Sequence, residues 1–230
     1  MLTRLKFLTA GESHGPGLTG IIEGLPAGIP LRVADLRAEL KRRQQGVGRG
    51  KRMQIEDEQV EIHSGVRYGK TLGSPVSLWL PNRDWKNWQK QMKIEASDDP
   101  ATPVTLPRPG HADLAGALKY DTDDIRNILE RASARETAMR VALGATAKRF
   151  LEELGIRITS QVVQIGKVAA RLNPVTPETD LAELERQVDV SLVRCPDEKT
   201  TRLMVAEIEG AGAEGDSVGG RFEVIASGLP

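Results

Sequence analysis

The tightest constraint on the fold lies between residues 15 and 28, where glycine and proline recur too closely for a helix. The apolar run Leu5-Lys6-Phe7-Leu8 leads into "GESHGPGLTG" at 11–20, and Gly15-Pro16-Gly17-Leu18-Thr19-Gly20 satisfies GxGxxG. That pattern serves a dinucleotide only between a strand and a helix: the glycines admit the pyrophosphate and the helix N-terminus faces it. Here Ile21-Ile22-Glu23-Gly24-Leu25-Pro26-Ala27-Gly28 follows, and two glycines and a proline in eight residues bar a stable helix. The acidic residue due about twenty residues on, at the end of a second strand, is also missing. Asp35 and Glu39 stand near that distance but within a helical pattern. The dinucleotide reading fails. The segment reads as strand, loop, strand, with Glu12, Ser13 and His14 in a glycine-flanked loop.

Strands are predicted at 4–10 and 18–24, and Leu31, Val33, Leu36 and Leu40 suit an amphipathic helix over about 33–45. Val60, Ile62 and Val66, then Val76, Leu78 and Leu80, alternate as strands do. Residues 81–110 carry no clear periodicity, the mark of a lid, a binding loop or a disordered segment. Helices are predicted at about 112–119, 123–131 and 133–154, the last ending at Gly155 as a C-capping glycine. Strand follows over Ile156 to Val168, helix over about 178–190 and 197–209, and strand over Gly219 to Ser227. Strands come early and helices group in the middle, which favours α+β over a regular βαβ repeat.

Composition narrows the function classes. Thirty-two basic residues balance 32 acidic ones, so no global charge attracts nucleic acid or a membrane surface. Aromatics at 3% argue against base-stacking surfaces. The one cysteine, Cys195, excludes an internal disulfide and suits a reducing compartment. No run reaches a membrane span and residues 1–10 hold no signal-peptide core, so a soluble cytoplasmic chain is expected.

Anion chemistry is the strongest local signal. Six of the twelve residues in "KRRQQGVGRGKR" at 41–52 are Lys or Arg and three are Gly. Such a run is a solvated charge cluster, a nucleic-acid arm, or a loop whose arginines fold onto a phosphate or carboxylate. "GVRYGKT" at 65–71 leaves three residues between its glycines where a phosphate loop needs four, and Leu72-Gly73-Ser74-Pro75 cannot open the required helix. In "ERASARET" at 130–137, Ser133 and Glu136 form a capping-box pattern. Arg131, Arg135 and Arg140 crowd the positive end of the same helix, an unfavourable placement unless an anion binds there. Of the three histidines, His63 falls in a strand pattern, whereas His14 and His111 sit in glycine-containing loops that suit general acids. No cysteine or histidine spacing supports a metal site. An enzyme acting on an anionic substrate and a non-enzymatic anion or nucleic-acid binder built on 41–52 both remain open at this level.

Four long stretches resemble the chorismate synthase family in the family's order: "GESHGPGLTGIIEGLP" at 11–26, "RRQQGVGRG" at 42–50, "RPGHADLAGALKY" at 108–120 and "ERASARETAMRVALGA" at 130–145. The similarity runs over essentially the whole chain as one domain, 1–230. It implies a β–α–β sandwich of the α+β class, a homotetramer, and the last step of the shikimate pathway. In that step 5-enolpyruvylshikimate 3-phosphate loses phosphate and a ring proton to give chorismate. The implied cofactor is reduced FMN, with NADPH as reductant where the protein reduces its own flavin. By the same resemblance His14 protonates the departing phosphate and His111 protonates the reduced flavin. Arg43, Arg49, Arg108 and Arg135 hold substrate anions, and Arg43 and Arg49 also stand on the cofactor side. Arg131, Ala132 and Ser133 correspond to the flavin-contacting stretch, where many members carry a second serine in place of Ala132. Members of the family are longer. The resemblance therefore implies an N-terminal portion, inactive alone, without the family's catalytic aspartate and further flavin contacts.

Overall fold

The computed structural model describes residues 4–48 and 59–230. Two compact units emerge: described residues up to Leu40 and from 59 to Ala147 form the first, and 41–48 with Lys148–Pro230 form the second.

In the first unit, β1 (Lys6–Gly11), β2 (Gly17–Glu23), β7 (Val76–Pro81) and β4 (Glu61–Ser64) make an antiparallel sheet in the order β1-β2-β7-β4. Alternation decides its faces: Leu18 and Ile22 of β2, with Val76, Leu78 and Leu80 of β7, are buried, while Thr19, Ile21, Glu23, Ser77 and Trp79 between and beside them are not. α5 (Glu136–Glu153) closes on this sheet through Met139 and Leu143. A Cβ on Gly20 would lie 2.4 Å from the Met139 sulfur, so glycine is what lets helix and sheet approach. Thus the strand–loop–strand reading holds, and the last glycine of the GxGxxG pattern serves helix packing.

β3 (Ala27–Pro30), β6 (Lys70–Leu72) and β5 (Val66–Arg67) form a second small sheet. Arg67 and Lys70 pair across Tyr68-Gly69, whose φ angles of 50° and 73° make the left-handed two-residue turn that fits hairpin twist. "GVRYGKT" is therefore a hairpin. α1 (Val33–Gln44) buries Leu36 and Leu40 as its spacing predicts. The aperiodic segment after β7 holds only the single turn α2 (Trp85–Trp88) among regular elements, and is followed by α3 (Asp113–Tyr120) and α4 (Arg126–Leu129).

Two helices depart from expectation. The helix expected at 123–131 shrinks to the one turn of α4, because the Asp124 carboxylate accepts from the Val104 amide and Ile125 donates its amide to Val104. α5 starts three residues after Ser133, whose hydroxyl accepts from the Arg135 amide and donates to Ser13. Its C-terminus follows the sequence signal. Gly155, at φ 75°, donates to the Glu152 carbonyl and Ile156 donates to that of Leu151, the paired bonds of a Schellman end.

The second unit pairs β10 (Gly220–Ser227) with β8 (Arg157–Ile165), and β8 with β9 (Val168–Ala169). α6 (Leu181–Val190) and α7 (Glu198–Ala213) are each capped by an aspartate: Asp180 accepts from Ala182 and Glu183, Asp197 from Thr200. Val193, Cys195 and Met204 centre its core.

Candidate active site

The loop after β1 is held rigidly. Ser13 donates its amide to the Glu130 carbonyl, and the Asn82 side-chain amide donates to the carbonyl of Gly15 at 2.8 Å. His14 is fixed on three sides. Its backbone amide donates to Glu130 Oε2 at 2.8 Å, and its ring Nδ1 lies 2.9 Å from both Glu130 oxygens. The Trp88 ring lies against the imidazole, with centroids 3.7 Å apart, and Arg126 stands 5.5 Å from that indole. Glu130 is 1% exposed and also accepts from Arg126 at 3.2 Å. Burial pushes its carboxyl upward, but the hydrogen bonds from His14 and the charges of His14 and Arg126 outweigh that and hold it below its ordinary value.

A second histidine–carboxylate pair forms at the start of α3. Asp113 is fully buried, and each of its oxygens meets two donors. Oδ2 accepts from the Arg108 amide at 3.0 Å and from Arg108 Nε at 2.9 Å; Oδ1 accepts from Arg108 Nη2 at 3.1 Å and meets His111 Nδ1 at 2.5 Å. The Arg108 guanidinium holds the Asp113 carboxyl far below the usual range against the opposing effect of burial. Arg108 is itself raised, chiefly by its bond to Asp113, and the charge of Glu130 reaches it too. Arg108 Nη2 stands 3.1 Å from His111 Nε2.

The segment leading into α5 distributes the expected arginine crowd. Arg131 donates to the Thr9 carbonyl at 2.9 Å and the Thr9 hydroxyl at 2.6 Å, while Arg140 donates to Glu136 at 2.8 Å. Glu136 takes a hydrogen bond from Thr9 at 2.6 Å as well, so its carboxylate braces the helix start laterally and not through a capping box. Burial raises the Glu136 carboxyl, yet Thr9 and Arg140 bring it below its ordinary value. Arg131 and Arg140 thus share the Glu136 carboxylate as a counter-charge. Arg135 is buried and donates to the Pro81 carbonyl at 3.1 Å.

Arg131 and Ala132 line a cavity of about 710 Å³ between α3 and the 127–132 segment, together with Glu12, Ala112, Gly116 and Lys119. Small residues form much of its wall and two cations stand at it. Ser133 reaches Ser13 at 3.0 Å, which joins the 131–133 stretch to the His14 loop. Arg43 lies in the last turn of α1, half-buried, in the second unit. Arg49 lies outside the described residues, as do Lys51 and Arg52. His63 is exposed beside Glu61. Among the described residues no group of three or more His, Cys, Asp or Glu side chains could hold a metal ion, and no helix is long and apolar enough to cross a membrane.

Sequence reasoning missed Glu130, Asp113 and Trp88. Asp113 had a local signal, two residues after His111 and first in its helix. Glu130 and Trp88 had none, since their contacts with His14 span 116 and 74 residues of chain.

Two loop histidines on buried carboxylates, with arginines and a cavity that carries Arg131, Lys119 and Glu12 at its wall, form a constellation of the acid–base class on an α+β scaffold. The family model for chorismate synthase matches residues 5–230. A chorismate synthase of Geobacillus sp. (strain WCH70) is 55% identical over 229 residues, and that of Listeria welshimeri is 51% identical. Each alignment covers 98% of this chain and 58% of the relative. A crystal structure of chorismate synthase matches with a TM-score of 0.78 at 41% identity, covering 98% of this chain and 59% of that one. The chain belongs to the chorismate synthase family, and it spans somewhat under three-fifths of the length of the curated relatives it matches.

Proposed function

We propose that the chain carries the histidine acids and much of the anion-binding part of a chorismate synthase, a cytoplasmic, tetrameric lyase. It acts on 5-enolpyruvylshikimate 3-phosphate by 1,4-elimination. The observation that carries this reading is the pair of loop histidines, each held at Nδ1 by a buried carboxylate. In the elimination the carbon–oxygen bond to phosphate breaks, a ring carbon–hydrogen bond breaks, and a new double bond completes the diene. The phosphate leaves with the electron pair of its bond, and His14 gives it a proton. By the resemblance, an aspartate that longer members carry assists removal of the ring proton, which would go by way of the flavin.

The residues present fit reduced FMN. The cavity wall of Ala112, Gly116 and Ala132 leaves room for a flat ring system, and Arg131 and Lys119 offer cations to a phosphate. Ser133 adds a hydroxyl next to that wall. When bound, reduced FMN supplies an electron-rich ring beside the substrate in a reaction without net redox change. His111 holds a proton on the flavin side of the site. Arg108, with Nε and Nη2 given to Asp113, keeps Nη1 for a substrate anion. Arg135 supplies a further anion contact, and the resemblance alone assigns Arg43 and Arg49 to substrate anions and to the cofactor or NADPH.

The test is anaerobic phosphate release with reduced FMN, by this chain and by a version extended at its C-terminus with the corresponding portion of the Geobacillus relative. His14→Ala and His111→Ala in the active version each lower turnover by about two to four orders of magnitude, the range for a lost general acid. Circular dichroism stays unchanged. Near-normal turnover in both variants overturns the assignment.

A further inference from the structure

Glu130, 1% exposed, lies deeper than any described group proposed to touch substrate, and most of its side-chain hydrogen bonds go to His14. Three contacts of 2.8–2.9 Å bind it to the backbone amide and ring of that one residue, and a fourth comes from Arg126 to Oε1. Arg126 precedes it by one helical turn, the spacing at which side chains on a helix meet. An ionised carboxylate only accepts hydrogen bonds, so the Nδ1 that faces it must carry the hydrogen. Neutral imidazole then has its lone pair on Nε2. Trp88 covers one face of the ring, which blocks the flip that would exchange the two nitrogens.

We propose that Glu130 is the positioning residue of His14, fixing the imidazole as the Nδ1–H tautomer so that Nε2 is the nitrogen that exchanges protons with the ligand. Arg126 keeps Glu130 charged and aimed, and Trp88 keeps the ring from turning. The proposal rests on the reading of His14 as an acid for its use in the reaction. The orientation it describes is independent of that reading.

Long-range proton–nitrogen NMR of the 230-residue chain, labelled at histidine, reads the tautomer without any turnover. The neutral His14 ring of the unmodified chain shows the Nδ1–H pattern, and Glu130→Gln gives a mixture of both tautomers. Glutamine keeps one acceptor for the backbone amide but lets its NH₂ face Nδ1 instead, so the preference disappears while the loop stays docked. In the C-terminally extended, active version, Glu130→Gln lowers kcat by roughly 10²-fold, at the low end for a misplaced general acid, with KM changed less than about threefold. Glu130→Asp restores part of kcat. A purely structural role for Glu130 would lower stability without moving the tautomer. An Nε2–H pattern in the unmodified chain overturns the proposal by itself and requires no variant. So does an unchanged Nδ1–H pattern in Glu130→Gln. If the tautomer behaves as stated but His14→Ala retains turnover, the acid reading fails and the positioning of the ring stands.

Discussion

Replacing Asp113 by Asn tests the second carboxylate pair with a change of almost no volume. Each oxygen of Asp113 faces two donors; an amide NH₂ at Oδ2 meets two Arg108 N–H groups, while at Oδ1 it meets one, since His111 Nδ1 can accept in its other tautomer, so up to two of four hydrogen bonds vanish. Bonds to a charged group contribute about 1.5–3 kcal/mol each, which sets a ceiling of about 3–6 kcal/mol. Arg108 is 51% exposed and regains water when released, so the loss settles near the lower limit, about 2–3 kcal/mol. The pH dependence has a definite sign. The folded carboxyl sits below its ordinary value, so its stabilisation is complete above the unfolded value of about 4 and fades as pH falls below it. The gap between parent and Asp113→Asn is therefore constant from pH 5 to 7 and narrows toward pH 3. Urea unfolding followed by tryptophan fluorescence measures it, since Trp79, Trp85 and Trp88 all lie in the first unit. A gap below about 0.5 kcal/mol at pH 7, the range of an ordinary surface change, refutes the reasoning. A gap as large at pH 3 as at pH 7 refutes it equally.

Gly20→Val forces a branched side chain onto the Met139 sulfur, 2.4 Å from the added Cβ, and costs about 1–3 kcal/mol or more by overpacking. Thermal melts check it, and adding Met139→Ala should recover part of the loss; no recovery would place the strain elsewhere. Arg49→Lys in the active, extended version weakens substrate binding while the same swap at Arg42 does not, because an ammonium cannot reproduce a guanidinium's bidentate grip. Equal KM values for the two variants would leave 41–52 a solvated loop.

The elements that follow a period were legible, and the partners that do not were hidden. β2, β7 and α1 alternate or repeat at fixed spacing, and their buried residues are the ones the pattern selects. Gly155 ends α5 by the stereochemistry that a C-terminal glycine signals. α4 was overestimated because Asp124 looks like part of a helix but instead ties Val104 of the aperiodic segment. The histidines and arginines were legible as candidates because their side chains are chemically conspicuous. The carboxylates that orient them were not, because Glu130 reads locally as a solvated helix residue and its burial comes from a loop 116 residues away. Ser133 and Glu136 fit the capping-box spacing, yet Thr9 and Arg140 claim Glu136 and the pattern yields to tertiary contacts.

The glycine spacing of the opening motif and the chemistry of the site are linked through α5. Gly20 brings Met139 against β2, and Met139 lies one turn into the helix from Glu136. That close approach sets where the helix begins relative to β1, so that Thr9 and Gly11 can accept from Arg131, and Ser13 can meet Ser133. Glu130, just upstream of this start, then reaches His14 at 2.9 Å. A glycine that imitates a phosphate-binding fingerprint therefore acts on the site at one remove. It controls how near the 130–136 segment comes to the His14 loop. The consequence is a graded one: Gly20→Ala, which adds a single methyl group at the same clash, should loosen the contact between Ser13 and Ser133 more than it lowers the melting temperature. Hydrogen exchange at the Ser13 and His14 amides, both bonded to Glu130, reports that loosening directly. Protection unchanged at both amides, with the melting temperature lowered, would separate the packing role of Gly20 from the geometry of the site.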